Sequence, residues 1–124
     1  MSRKRLDGMR HEQVFLRHIV EESNFLMKEA ENMGFEEFMK NEILKRACSR
    51  SLEIVGEAVK NLPADFKKRY REIEWKKIAG LRDKMIHGYF GVNWDIVWDV
   101  IKNQIPKLKE QVEDILEKPE SDEA

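Results

Sequence analysis

The stretch NEILKRACSRSLEIVGEAVKNL, residues 41–62, decides the fold. At about 100° per residue, Ile43, Leu44, Ala47, Cys48, Leu52, Val55, Ala58, Val59 and Leu62 cover nearly half of a helix circumference. So wide an apolar face predicts a central helix, 41–61, that touches two neighbours. Gly56 in its interior costs about 1 kcal/mol relative to alanine, so close packing there is a reason to retain it.

The neighbours follow on either side. Upstream, 6–32 reads as one long helix with Met9, Phe15, Leu16, Ile19, Val20, Leu26, Met27 and Ala30 on a broad face. Val14 and Phe25 fall on its other side, a small apolar surplus for another helix or subunit. Gly34 is expected to stop this helix, and 35–40 to form a short turn. Downstream, Pro63 opens a short helical segment, 64–71. A third main helix is expected over 74–86. A fourth runs from Asn93 as N-cap to Glu117, with Val97, Ile101, Ile105, Leu108, Val112 and Ile115 on one stripe. Pro106 is expected on its solvent side, where it would kink the helix and spare the packing face. The fold class is therefore all-α, a four- to five-helix antiparallel bundle.

The 124 residues suit one domain, expected over 1–117, followed by an acidic, disordered tail at 118–124. Charged residues reach 38% and apolar ones 41%, which fits a charge-rich surface around an adequate core. The single cysteine, Cys48, excludes an internal disulfide and suits a reducing compartment. No apolar run approaches the roughly 20 residues of a membrane helix, and the basic N-terminus lacks a following apolar signal region. These features point to a cytoplasmic protein that engages no membrane. Net charge is −1, which argues against indiscriminate nucleic-acid binding. Yet residues 60–84 hold nine basic side chains against four acidic ones, which reads either as a solvated helix surface or as a local phosphate-attracting patch.

One residue breaks the apolar pattern. On an unbroken 74–86 helix, Trp75, Ile78, Ala79, Met85 and Ile86 form a stripe with Arg82 in its middle. An unpaired guanidinium in a core is prohibitively costly. Arg82 must therefore meet an acid such as Glu57, a subunit boundary or an anionic ligand. His87 follows, and Gly88 and Gly91 predict a helix end that lets it turn back. Alternatively, a two-fold partner brings the Arg82 and His87 of two chains into one cleft. His11 and His18 lie seven apart with no second ligand cluster, so no metal site is expected from them or from the His18–Glu22 spacing.

Residues 82–89, Arg-Asp-Lys-Met-Ile-His-Gly-Tyr, resemble the Arg-x4-His-x-Tyr signature of HepT-type toxins, members of the HEPN ribonuclease superfamily. The likeness extends through Trp75-Lys76-Lys77-Ile78-Ala79-Gly80-Leu81 and Phe90-Gly91-Val92-Asn93-Trp94. Upstream, Leu52-Glu53-Ile54-Val55-Gly56-Glu57-Ala58 is similar to the Gly-Glu-Ala helix of that family. This resemblance implies dimeric helical bundles in which Arg82 and His87 of both chains line a shared cleft. It implies a metal-independent endoribonuclease that needs no cofactor, the toxin of a toxin–antitoxin pair. It further implies a minimal nucleotidyltransferase antitoxin that adenylylates Tyr89.

The residue chemistry is compatible. Arg82 stays protonated and can grip a phosphate through two parallel hydrogen bonds. His87, with an ordinary pKa near 6.5, can move protons at neutrality. RNA brings its own nucleophile, the 2′-hydroxyl. Asp83 is a candidate to orient His87 of the partner chain. Two other readings stand beside this one. In the first, the chain is a non-catalytic nucleotide-binding or partner-docking module of a nucleotidyltransferase. In the second it is a structural homodimer whose Arg82 pairs with Glu57 or Asp83. Trp75, Trp94 and Trp98 are candidate base-stacking platforms, although helical spacing favours core or interface positions for Trp75 and Trp94. The run Lys67-Lys68-Arg69-Tyr70-Arg71 is either a solvated surface or a guide for RNA.

Overall fold

The computed structural model describes the backbone of residues 2–86 and 91–118, with side chains from residue 11 onward within those ranges. The described residues are helical throughout apart from turns and one isolated bridge. The helices are α1 (Ser2–Ala30), α2 (Phe35–Lys40), α3 (Glu42–Lys60), α4 (Ala64–Arg69), α5 (Trp75–Ala79), α6 (Leu81–Met85), α7 (Trp94–Asp99) and α8 (Ile105–Leu116). A π-helical turn, Val100–Gln104, joins α7 to α8.

Three long rods make the frame. On α1 the buried positions are Leu16, Ile19, Ser23, Leu26 and Ala30, spaced alternately by three and four residues. Ile101, Ile105, Leu108, Val112 and Ile115 repeat that spacing on the last rod. Two narrow stripes of this kind can lie along one another, and the rods run antiparallel. Lys102 Nζ donates to the Ala30 carbonyl at 3.1 Å at one end, while Leu16 and Ile115 border the same small cavity towards the other. The central helix α3 packs on α1 and also on α5 and α6, as a wide apolar face requires, but Ile43, expected on that face, is 84% exposed at the start of the helix. Ser51 Oγ donates to Glu22 Oε1 at 2.6 Å, tying α3 to α1 inside the bundle. Gly56 is where α3 meets the end of α5: a Cβ there would lie 3.4 Å from the Ile78 carbonyl oxygen, in ordinary contact. The packing is close, although an alanine would also fit.

Several boundaries differ from the sequence expectations. α1 ends at Ala30, and Gly34 opens α2 instead of stopping α1. The Gly34 N–H donates to Glu37 Oε1 at 3.3 Å, and Phe38 is fully buried against Trp98 at 4.9 Å between ring centroids. The expected turn at 35–40 is thus a docked helix. Asn93 is the expected N-cap, its Oδ1 accepting from Ile96 N at 3.3 Å. Pro106, however, is half-buried beside Met27, Ala30 and Ile101, not on the solvent side. The π-turn just before it, with Ile105 N–H reaching the Val100 carbonyl, makes room for a residue that cannot donate to the helix ladder. Val14 and Phe25 are exposed, as their positions on the outer side of α1 predict. The expected tail at 118–124 falls outside the described residues beyond Lys118.

Candidate active site

The expected third helix is two short ones. Gly80 (φ −90°, ψ 5°) interrupts it, separating α5 from α6. The residue that drops into the core is Leu81, 1% exposed, alongside Ile78 and Met85. Arg82 is rotated out, and its side chain is 62% exposed. The expectation of a guanidinium lodged among apolar neighbours is therefore corrected, and so is its pairing with Glu57. Arg82 leaves no charge in the core to neutralise.

Arg82 instead meets Glu53, one helical turn before Glu57 on α3. Its Nε donates to Glu53 Oε2 at 3.0 Å. Arg50 Nη1 stands 3.7 Å from the other carboxylate oxygen, so Glu53 sits between two guanidinium groups. The Arg82 contact uses Nε alone. Its terminal nitrogens make no hydrogen bond or ion pair among the described residues, which leaves a two-pronged donor edge facing solvent. That is the edge through which a guanidinium holds a phosphate. Glu57 is exposed and lies 3.7 Å from Lys60 Nζ. Asp83 is exposed on α6.

His87 and Tyr89 lie outside the described residues. The chain on both sides of them is pinned. Ile86 and Val92 form an antiparallel bridge, and Asn93 N–H donates to the Met85 carbonyl at 2.6 Å. Met85 is fully buried. Gly91 has φ +95°, a conformation that L side chains rarely adopt. The bridge thus brings the two flanks of the His87 segment together at the end of the helix that carries Arg82. The returning flank is braced from α3. Lys45, 5% exposed, pairs with Glu42 at 2.9 Å and places its ammonium 5.0 Å from the Trp94 ring centroid.

The tryptophans serve packing. Trp75 is buried, with Nε1 donating to the Tyr70 carbonyl at 3.0 Å, while Trp94 and Trp98 pack on Phe38. His11 and His18 are exposed, and Glu22 is occupied by Ser51. Among the described residues no group of three or more His, Cys, Asp or Glu could hold a metal ion, and no helix is long and apolar enough to cross a membrane. Glu53 was missed by sequence reasoning because its partner lies 29 residues away. Its only advance signal was its place beside the Gly56-Glu57-Ala58 triplet.

Comparison with known proteins agrees with this architecture. The family model described as "Ribonuclease HepT-like" matches residues 16–115. A protein of Caldanaerobacter subterraneus subsp. tengcongensis, whose name classes it as an RNase, is 51% identical over 84% of this chain and 93% of its own length. A Methanocaldococcus jannaschii protein named in the same way is 44% identical over 82% of the chain and 84% of the relative. A Thermococcus cleftensis protein named as ribonuclease HepT is 40% identical over 80% of the chain and 90% of the relative. No solved structure matches the chain. With the all-α bundle and the outward-facing Arg82 in place, the match across most of its length makes this chain a member of the HepT-like family of HEPN ribonucleases.

Proposed function

We propose that the chain is a metal-independent endoribonuclease, the toxin of a toxin–antitoxin pair, acting as a homodimer with Arg82 and His87 of both copies in one cleft. The observation that carries this reading is the donor edge that the described residues leave free on Arg82, on the helix that ends just before the segment bearing His87.

The chemistry follows from the groups. Arg82 seats the scissile phosphate and offsets the charge that builds on it as a fifth oxygen approaches. One His87 takes the proton of the RNA 2′-hydroxyl, whose oxygen attacks the adjacent phosphorus. The bond from phosphorus to the 5′-oxygen breaks, and His87 of the second copy protonates that leaving oxygen. The products are a 2′,3′-cyclic phosphate and a 5′-hydroxyl. Each proton transfer contributes about 10²–10⁴-fold. A single imidazole cannot stand on both sides of an in-line displacement, which is why two copies are invoked.

Inhibition by a minimal nucleotidyltransferase partner is in keeping with the order of residues in the motif. An AMP phosphodiester on Tyr89 adds a negative charge and a nucleotide's bulk two residues from His87, within the chain segment rooted next to Arg82. To test this, the chain is incubated with ATP and the nucleotidyltransferase encoded beside it, and its intact mass is measured. The proposal expects gain of whole AMP units on Tyr89 with loss of RNA cleavage, both absent in Tyr89→Phe. Inhibition without a mass change, or modification elsewhere, contradicts it.

A further inference from the structure

A second feature lies on the side of the molecule where α4 meets α5. A groove of about 640 Å³ runs there, with Ala64, Ile73, Trp75 and Ala79 contributing apolar wall. Lys67, Lys68, Arg71, Lys76 and Lys77 line it as well, against one acid, Glu74. Glu74 is already paired with Lys77 at 3.8 Å, and Lys67 Nζ donates to the Val59 carbonyl at 3.2 Å. Among the described residues, Lys68, Arg71 and Lys76 make no ion pair or hydrogen bond, and all three are exposed. Three cations without counterions around one concave surface repel each other in a protein whose overall charge is −1. An anionic ligand would relieve that repulsion.

The groove borders the stretch of chain that leads to Arg82. Ala79, in its wall, is three residues before Arg82, and only Gly80 and Leu81 intervene. A polyanion held by Lys68, Arg71 and Lys76 would lie against α5, the helix that leads through Gly80 into α6 and Arg82. We propose that this groove binds single-stranded RNA and leads it to the cleavage site, its cations contacting phosphates and its apolar wall lying against bases. The proposal rests on the ribonuclease reading for its choice of ligand. Indole stacking is not part of it, since Trp75 is buried and held by Tyr70.

The test measures binding apart from cleavage. A fluorescein-labelled twelve-residue oligodeoxyuridine lacks the 2′-hydroxyl and reports affinity by anisotropy on the intact wild-type chain. The double variant Lys68→Glu/Arg71→Glu is expected to weaken binding by tenfold or more. The slope of log K against log salt should fall by about 1.4, roughly 0.7 for each phosphate that is no longer neutralised. Arg17→Glu/Lys28→Glu on α1 makes the same change in net charge outside the groove, and it is expected to weaken binding less than threefold. Equal losses in the two double variants overturn the proposal, because net charge alone would then explain them. So does a groove that takes polyglutamate as tightly as the oligonucleotide, which would make it a docking surface for an acidic protein. Cleavage of the matching oligouridine separates the two ideas. If wild type cleaves and the groove variant keeps its KM, the groove is wrong and the ribonuclease reading stands. If wild type binds through the groove and does not cleave, the ribonuclease reading is the one that fails.

Discussion

Glu53 accepts the Nε–H of Arg82 at 3.0 Å, joining the middle of α3 to the short helix that carries the motif arginine. The contact occupies the inner edge of the guanidinium and leaves the outer edge for a ligand. With Arg82 62% exposed, the pair contributes little to stability, typically about 0–1 kcal/mol for such surface pairs. Its effect is on where the guanidinium points. Glu53→Gln should leave the melting temperature nearly unchanged and lower kcat by about tenfold, since misplacing a reactive group by 1 Å can cost up to about 10²-fold. Thermal denaturation and single-turnover cleavage, measured side by side, check this. A rise in activity would mean that Glu53 competes with phosphate and does not position Arg82.

Leu81 and Arg82 are adjacent and should behave oppositely. Leu81 is 1% exposed, so Leu81→Ala removes packed core and should cost about 2–5 kcal/mol. Arg82→Ala should change stability by no more than about 0.5 kcal/mol, as surface substitutions do. Urea unfolding of the two variants measures the difference. Similar losses for both would return Arg82 to the core and undo the register set by the break at Gly80.

Gly91 is the one described residue with positive φ, at +95°. A side chain there costs roughly 1–2 kcal/mol in backbone strain. Gly91→Ala is therefore expected to lower stability by that amount and to reduce cleavage further, because Gly91 adjoins the Ile86–Val92 bridge and lies four residues after His87. Denaturant titration together with cleavage rate tests both parts.

Cys48 is 1% exposed, and burial, with the nearby Glu29 carboxylate, raises its thiol from 9.0 to about 11. It should resist iodoacetamide at pH 8 in the folded protein and react fully in urea. The same shift gives a pH dependence. Between pH 9 and 11 the unfolded thiol ionises while the folded one stays protonated, so unfolding releases a proton. This contribution is complete below pH 9 and is lost as pH rises towards 11. Cys48→Ala should flatten that part of the stability profile.

The bundle was largely legible in the sequence because its stripes are long. Leu16 to Ala30 and Ile101 to Ile115 each repeat through several turns, so the apolar face cannot be mistaken. α2 was not legible, because six residues carry too little periodicity to separate a docked helix from a turn. The Gly80 break was missed for a different reason. A single glycine is tolerated inside helices, and hydrogen bonds of helical spacing reach Gly80 from both sides, Gly80 N to Lys76 O and Lys84 N to Gly80 O. Projecting one unbroken helix through it put Arg82 into the slot that Leu81 fills. The Arg-x4-His-x-Tyr resemblance made Arg82, His87 and Tyr89 candidates; of these the structure describes Arg82, turned outward, while the other two lie outside the described residues. Glu53 depends on a contact between distant segments that no local pattern encodes.

The proposed reaction depends most on Arg82 holding a phosphate without the help of a metal. The direct measurement is cleavage of an oligoribonucleotide by wild type, Arg82→Ala and His87→Ala in EDTA, with product ends analysed by mass spectrometry. Wild type should cleave and leave 2′,3′-cyclic phosphates, while both variants remain folded and inactive. Undiminished cleavage by Arg82→Ala, or wild-type cleavage that EDTA abolishes, would contradict it.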